Sequence, residues 1–166
     1  MADALWRWDE LVAAAGGKAD GAAERALTGF SIDTRTLAPG EVFVALRAER
    51  DGHDFIGTAI SAGAPAYFTS GPIEAATAIL VEDTAAALTD LGAHARDRLA
   101  GPVVGITGSV GKTSLKDLLA AVAATTWRTS ASAGSFNNEL GVPLTLANAP
   151  DDTELAVVEM GARGRG

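Results

Sequence analysis

The sequence predicts an α/β protein with a largely parallel sheet, because segments typical of strands alternate with segments of helical periodicity. Two compact apolar runs, at 103–107 and 155–159, have the composition of strands that are buried on both faces. An amphipathic helix is predicted over 112–124, shortly after the first run. A hydrophobic content of 48% with 20% charged residues is typical of a globular chain that forms a core.

Six elements are predicted in the first hundred residues, and turn or cap residues bound most of them. In chain order they are a helix over 6–15, a strand over 41–46, a helix over 54–62, strands over 66–69 and 78–81, and a helix over 84–99. Glycine ends the first two helices, and Asp83 or Thr84 is the expected cap of the third. The Gly101-Pro102 break then predicts two domains, 1–100 and 101–166, with a loose polar stretch at 125–138.

Charge and cysteine content exclude several classes of function. The chain has 13 basic and 21 acidic residues, a net charge of −8, which argues against nucleic-acid partners and anionic membranes. With no cysteine, disulfides, thiolate zinc sites and cysteine nucleophiles are excluded. The longest apolar run, 118–124, is far shorter than the ~20 residues that span a bilayer, so we expect no membrane insertion and a cytoplasmic location.

A glycine-rich segment between a predicted strand and a predicted helix, Thr107–Ser114, is the sharpest functional signal. Glycines let backbone N–H groups approach phosphate oxygens, and the following helix start favours an anion. Lys112 can reach the β/γ-phosphates and the Thr113 hydroxyl can ligate magnesium. The predicted nucleotide-binding residues of the loop are Gly108, Ser109, Val110, Gly111, Lys112, Thr113 and Ser114.

The strict G-x-x-x-x-G-K-[ST] pattern fails at one position, since Ile106 stands where the first glycine belongs. The alternative is a glycine-rich turn with a chance Gly-Lys-Thr. The coincidence of buried strand, loop, Gly-Lys-Thr and helix favours the phosphate loop. A dinucleotide fingerprint is absent.

Polar residues outside the loop add to the candidate site. Glu159 ends a predicted buried strand, where it can hold Mg²⁺ directly or through water; the alternative is a solvated strand-end glutamate. Asn137 and Asn138 either cap a turn or point amides at a nucleotide, and the residues alone leave both open. Arg35 can bind a phosphate or pair with Asp33, and His53 is interpreted as a turn residue.

Three separated segments resemble the Mur ligase family of ATP-dependent amide-forming enzymes. Residues 31–55, with Ser-Ile-Asp-Thr-Arg and Asp-Gly-His-Asp-Phe, look like the family's uridine-nucleotide domain. Residues 106–113 are similar to its shortened phosphate loop, and Ser135–Thr145 with Val158–Ala162 look like the branch that adds D-alanyl-D-alanine.

The resemblance implies an α/β fold with a small amino-terminal uridine-nucleotide domain, 1–100, followed by the first part of a phosphate-loop ATPase domain, 101–166. It implies a ligase of peptidoglycan precursor synthesis that uses ATP and Mg²⁺ to join D-alanyl-D-alanine to UDP-N-acetylmuramoyl-tripeptide through an acyl phosphate. Lys112 would neutralise phosphoryl charge, Thr113 and Glu159 would serve magnesium, and Asn137 and Asn138 would lie near the nucleotide. The UDP-sugar would contact Ile32, Thr34, Ala48, Glu49 and Arg50.

Other activities remain open at this point. One is a sister ligase that adds the third amino acid, or a folylpolyglutamate-type enzyme; another is a module that binds UDP-sugar or nucleotide without catalysis. The resemblance also implies that the rest of the central domain and a third domain follow the Glu-Met-Gly segment. We therefore expect no ligase activity from the 166-residue chain alone. We also expect a monomer.

Overall fold

The computed structural model describes residues 4–74, 76–132 and 139–161. The chain divides into two compact units, Met1–Leu91 and Gly92–Gly166. The division falls inside helix α3 (Thr84–Arg98), and the domain boundary at Gly101 stays a prediction. Both units combine helices with parallel strands, which confirms the predicted fold class.

The first unit is built on a five-stranded sheet in the order β1-β5-β4-β3-β2. Its elements are helix α1 (Trp8–Ala14), strands β1 (Lys18–Asp20), β2 (Gly29–Ser31) and β3 (Glu41–Val44), a 3₁₀ helix (Gly52–Phe55), helix α2 (Ile56–Ser61), and strands β4 (Tyr67–Thr69) and β5 (Ala78–Leu80). Strands β2 to β5 are parallel, and β1 pairs antiparallel with β5. The carboxyl ends of β2, β3 and β4 therefore lie at one edge of the sheet.

The core of the first unit forms where α2 covers the sheet. Phe43 and Tyr67 from β3 and β4 pack with Ile56 and Ala59 of α2, and all four are nearly inaccessible to solvent. At the start of α3, the Asp83 carboxylate accepts the N–H groups of the second and third residues after it. These bonds lower the pKa of Asp83 and identify it as the cap.

The second unit contains a three-stranded parallel sheet in the order β6-β8-β7. Its elements are strand β6 (Val103–Ile106), helix α4 (Lys112–Ala123), strand β7 (Thr129–Ala131), helix α5 (Gly141–Ala147) and strand β8 (Leu155–Glu159). Strand β8 lies in the middle and is buried along its whole length, as its apolar sequence predicts. Helix α4 packs on this sheet through Ala123 and Leu119.

Strand β6 ends one residue before the predicted run of 103–107, and its predicted burial on both faces is wrong. Among the described residues it pairs with β8 alone and forms an edge of the sheet. Val104 and Gly105 are consequently exposed, although Ile106 is buried in the core. The loose stretch predicted at 125–138 is also wrong in part, because it contains β7.

Helix α5 shows how proline and glycine obscured a helix that the sequence did not predict. Gly141 and Pro143 suggest a turn, yet both lie in the first turn of α5. The N–H groups of a first helical turn have no intrahelical partner, so proline costs no hydrogen bond there.

Within the described residues, no helix is both long enough and apolar enough to cross a bilayer.

Candidate functional site

The glycine-rich segment folds into a tight loop between β6 and α4, as the sequence predicts. Gly108 and Gly111 have φ angles of +152° and +78°, which L side chains rarely adopt. Gly111 is also the residue before the helix, and it offers no side chain to cap the first-turn N–H groups. Those N–H groups and the positive end of the α4 dipole are suited to binding an anion.

Lys112 lies at the first position of α4 and folds back over the loop. Its Nζ donates a hydrogen bond to the Gly108 carbonyl oxygen at 2.8 Å. The loop residues Ser109 and Val110 are exposed, and the Val110 side chain is 89% accessible. The Lys112 ammonium and the backbone of the loop thus occupy one small region at the carboxyl end of β6.

Glu159 reaches the same region from the neighbouring strand. The parallel register pairs it with Ile106, the last residue of β6 before the loop. Its Oε2 accepts a hydrogen bond from the Thr113 hydroxyl at 2.8 Å, and the residue is 1% exposed. The solvated-glutamate alternative is therefore wrong, because this carboxylate is buried against the start of α4.

The Thr113–Glu159 pair offers the oxygen donors that Mg²⁺ prefers. Magnesium is usually bound through one or two carboxylates together with phosphate oxygens and water. No group of three or more histidine, aspartate or glutamate side chains suited to a metal occurs in the part of the chain described. The donor set fits an ion that arrives with nucleotide phosphates. Asn137 and Asn138, also predicted near the nucleotide, lie outside the described residues.

The residues predicted to contact a UDP-sugar lie at the carboxyl edge of the first sheet. Ile32 and Thr34 follow directly after β2, and residues 48–50 follow β3. Ligands of open parallel sheets bind outside the carboxyl ends of the strands. Ala48, Glu49 and Arg50 are exposed, whereas Ile32 and Thr34 are half-buried.

The loop that carries residues 48–50 is closed on itself by several contacts. Arg47 and Asp51 form an isolated antiparallel bridge, and their side chains approach to 3.7 Å. The Gly52 N–H donates to the Leu46 carbonyl at 2.8 Å. The Arg50 guanidinium stacks 4.5 Å from the centre of the Phe55 ring.

Gly52 is the position where this loop tolerates no side chain. A Cβ there would lie 2.6 Å from both the nitrogen and the oxygen of Leu46, which are backbone atoms that cannot rotate away. We expect Gly52→Ala to lower the free energy of unfolding by about 1–3 kcal/mol in denaturant titrations. Gly57→Ala is the matched control, because its Cβ meets only Glu74 at 4.0 Å within a helix. Equal stability of the two variants would contradict the prediction.

His53 joins the loop to the end of β4. Its Nδ1 lies 2.6 Å from Asp51 Oδ1, and its Nε2 lies 3.1 Å from the Ser70 backbone nitrogen. Because that N–H can only donate, Nε2 is the acceptor and Nδ1 donates to Asp51. The Ser70 hydroxyl is also near, at 3.2 Å, but the single lone pair of Nε2 already accepts the backbone N–H. This geometry favours the turn interpretation of His53 over a catalytic one.

Arg35 pairs with Asp33 in the turn after β2. Arg35 Nη2 lies 2.5 Å from Asp33 Oδ2, and the Arg35 backbone N–H also donates to this carboxylate. The side-chain hydrogen bond and then the backbone one lower the pKa of Asp33 to about 2. The surface-pair alternative is the one that the structure contains.

Replacing Arg35 with alanine is expected to raise the Asp33 pKa from about 2 toward the ordinary aspartate value of 3.8. It should stay below 3.8, because the backbone N–H bond remains. Carbon-13 NMR titration of the Asp33 carboxyl measures this, with Arg7→Ala as the control at another exposed pair. The folded-state pKa is depressed, so the stabilisation, at most about 1 kcal/mol for an exposed pair, exists above pH ~4 and is lost toward pH ~2. An unchanged Asp33 titration in Arg35→Ala would refute this assignment.

Lys116 and Ser132 belong to the second-unit site but were not predicted from sequence. Lys116 lies one turn after Lys112, is 2% exposed, and donates to the Ser132 carbonyl at 2.7 Å. The Ser132 hydroxyl in turn accepts the Glu159 backbone N–H at 3.2 Å. The signal in the sequence is the spacing, because Lys116 lies three residues before Leu119 and seven before Ala123. This spacing places Lys116 in the row of residues on the apolar face of α4.

A glycine loop at the strand-to-helix junction, with a lysine, a hydroxyl and a neighbouring buried carboxylate, defines a phosphate-loop protein of the α/β class. Residues 106–166 match the Mur ligase middle domain. The chain is similar to Mur ligases, since relatives that are 38–45% identical to it over 81% of its length are named UDP-N-acetylmuramoyl-tripeptide--D-alanyl-D-alanine ligase.

One such relative, from Synechocystis, is 45% identical over 139 residues, which are 81% of this chain and 31% of that protein. The solved UDP-N-acetylmuramoylalanyl-D-glutamyl-2,6-diaminopimelate--D-alanyl-D-alanyl ligase from Acinetobacter baumannii superposes with a TM-score of 0.86 at 31% identity, over 100% of this chain and 38% of that one. The MurF ligase of Thermotoga maritima in complex with ADP gives a TM-score of 0.67 at 33% identity, over 82% and 32%. The chain spans about a third of the length of the relatives it matches.

Proposed function

We propose that the protein to which this chain belongs is an ATP-dependent ligase that joins D-alanyl-D-alanine to UDP-N-acetylmuramoyl-tripeptide in peptidoglycan precursor synthesis. One observation carries the proposal: the buried Glu159 carboxylate meets the Thr113 hydroxyl beside the Lys112 loop. A phosphoryl-transfer site needs these groups together. The names of the relatives, at up to 45% identity, support the choice of substrates.

Each residue of the loop has a distinct task in this proposal. The backbone N–H groups of 108–114 cradle the phosphates of ATP, and Lys112 leaves the Gly108 carbonyl to neutralise charge on the transferring phosphoryl oxygens. Thr113 and Glu159 hold Mg²⁺, which supplies further charge neutralisation when bound. The Thermotoga relative was solved in complex with ADP, which supports nucleotide binding by this protein. Asn137 and Asn138 are proposed to lie near the nucleotide.

The proposed chemistry has two steps. The terminal carboxylate of the tripeptide attacks the γ-phosphorus of ATP, and ADP leaves as an acyl phosphate forms. The amine of D-alanyl-D-alanine then attacks the acyl carbon, loses a proton, and expels inorganic phosphate as the amide forms. The protein's contribution is to hold the reacting groups in line and to stabilise the developing charge.

The UDP-sugar is proposed to bind at the carboxyl edge of the first sheet. Ile32 and Thr34 follow β2 there, and the closed loop of residues 48–50 follows β3. The loop keeps its shape through the Arg47–Asp51 bridge and the Gly52 turn, so its exposed atoms are preorganised for a ligand.

The experiment is an amide-formation assay on the full-length protein with ATP, Mg²⁺ and UDP-N-acetylmuramoyl peptides. UDP-N-acetylmuramoyl-tripeptides that end in lysine or in meso-diaminopimelate are each assayed with D-alanyl-D-alanine. The UDP-N-acetylmuramoyl-dipeptide is assayed with lysine or meso-diaminopimelate as the single amino acid. Product with D-alanyl-D-alanine supports the proposal and identifies the third amino acid. Turnover only when a single amino acid joins the dipeptide substrate assigns the sister activity. Calorimetric binding of UDP-substrate or ATP without turnover assigns a binding module.

We also propose that the protein acts as a monomer in the cytoplasm. One substrate in the relatives' name, UDP-N-acetylmuramoyl-tripeptide, is a nucleotide-linked precursor, which fits this compartment. Analytical ultracentrifugation of the full-length protein measures the oligomeric state, and fractionation of cells measures the location.

A further inference from the structure

Helix α4 carries a charged residue where its packing calls for an apolar one. Lys116, Leu119 and Ala123 share one face of the helix, and the last two pack in the core with Ile106 and Val157. Lys116 is 2% exposed and lies at the loop end of this row. Lysine is almost never fully buried unless it is paired, so the contacts of Lys116 need to be identified.

Two oxygen atoms among the contacts of the buried Lys116 ammonium come from Ser132 and Asp117. The ammonium lies 2.7 Å from the Ser132 carbonyl oxygen and 3.0 Å from Asp117 Oδ1, whose side chain is 68% exposed. Burying a charge costs free energy that such contacts only partly recover, and an apolar side chain would pack without that cost. Stability alone therefore does not explain the lysine.

Ser132 connects the Lys116 ammonium to the carboxylate at the phosphate loop. It follows the last residue of β7, and its N–H extends the parallel pairing by donating to the Val157 carbonyl oxygen at 3.1 Å. Its hydroxyl accepts the Glu159 N–H at 3.2 Å. The Glu159 carboxylate accepts a hydrogen bond from the Thr113 hydroxyl. These contacts therefore connect Lys116 to the first turn of α4.

We propose that Lys116 is a positioning residue for the magnesium-binding pair. By fixing the Ser132 carbonyl it sets the Ser132 hydroxyl, which orients the backbone of Glu159 and so the Thr113–Glu159 contact. In this proposal Lys116 acts through Ser132 and Glu159 and not on the nucleotide or the metal directly. This inference rests on the proposed function, in which the pair holds the Mg²⁺ that accompanies ATP.

The test measures ADP affinity of the full-length protein by calorimetry, with Mg²⁺ and with chelator, and takes the ratio as the magnesium enhancement. We expect Lys116→Met to reduce this enhancement about tenfold, the lower end of the effect of residues that orient metal ligands. Lys116→Arg keeps a donor for the Ser132 carbonyl and should retain more of the enhancement than Lys116→Met. Lys18→Met is the matched control, because Lys18 is exposed on β1 of the first unit.

Ser132→Ala removes the hydroxyl but leaves the lysine and its carbonyl acceptor, so it tests the connection if Lys116→Met does not fold. It should reduce the enhancement as Lys116→Met does, and the double variant should be no worse than either single one. A merely structural lysine would lower ADP affinity equally with and without Mg²⁺. That result, or an unchanged enhancement in Ser132→Ala, overturns the inference alone. Failure of the parent protein to bind ADP overturns the proposed function together with it.

Discussion

Lys112→Ala is expected to reduce amide formation by the full-length protein by about 10²–10³-fold. The ammonium lies over the loop, bonded to the Gly108 carbonyl, in the place where transferring phosphoryl oxygens would develop charge. Within residues 1–166 no other lysine can take over, because Lys18 lies on β1 and Lys116 is buried on α4. Initial rates at saturating ATP, tripeptide substrate and D-alanyl-D-alanine measure the effect.

The Lys112→Ala variant should keep its affinity for the UDP-substrate within a few-fold. The proposed UDP-sugar residues belong to the first unit, whereas Lys112 belongs to the second. Calorimetric titration with the UDP-tripeptide measures this affinity. Lys18→Ala is the control for loss of a lysine, since it removes an exposed ammonium from β1. A Lys112→Ala protein with parental turnover would remove the phosphate loop from the proposed function.

The sequence predicted the parts of the site that lie on strongly patterned elements. Strand β8 was predicted at its observed bounds, because it consists of four consecutive apolar residues followed by Glu159. The strand lies in the middle of its sheet, and all five residues are buried. The tight loop from Gly108 to Gly111 was predicted because glycine, lysine and threonine occur at the strand-to-helix junction. The contact between Thr113 and Glu159 required the sheet register, which sequence does not state.

Short and atypical elements escaped prediction for identifiable reasons. Strands β1, β2 and β7 have three residues each and contain one large apolar side chain between them, Phe30, so no apolar run marked them. The equally short β4 and β5 were predicted because Tyr-Phe and Ile-Leu mark them as apolar runs. Strand β7 is Thr-Ser-Ala, with little apolar character, and its pairing with β8 supplies the order. Exposure of Val104 was missed because an apolar run indicates a strand but not its position in the sheet.

The positioning network was missed for a different reason. A lysine in a helix is ordinarily solvated, and only the packing of α4 on the sheet buries Lys116. Ser132 carries no motif, and its hydroxyl matters because β7 and β8 bring it beside the Glu159 N–H. Contacts between residues distant in sequence therefore define half of the site.

Glu159→Gln is expected to abolish the magnesium enhancement of nucleotide binding while leaving the fold intact. The new amide oxygen can still accept the Thr113 hydroxyl, so the substitution removes charge more than it removes a contact. Because an amide is cheaper to bury than a carboxylate, we expect the free energy of unfolding to change by less than about 1 kcal/mol. In the presence of chelator, the ADP affinity of Glu159→Gln should stay within about threefold of the parent value. A threefold change corresponds to less than 1.4 kcal/mol of binding free energy, which would be a tenfold change.

Amide formation by Glu159→Gln should fall by about 100-fold or more, at least the upper end of the loss seen when residues that orient metal ligands are removed. The measurements are calorimetry with and without Mg²⁺, and initial rates over a range of Mg²⁺ concentrations. Glu154→Gln is the matched control, because Glu154 is exposed and immediately precedes the same strand at its opposite end. If Glu159→Gln required no more Mg²⁺ than Glu154→Gln, the carboxylate would not be a metal ligand. Its burial against Thr113 would then serve the fold alone.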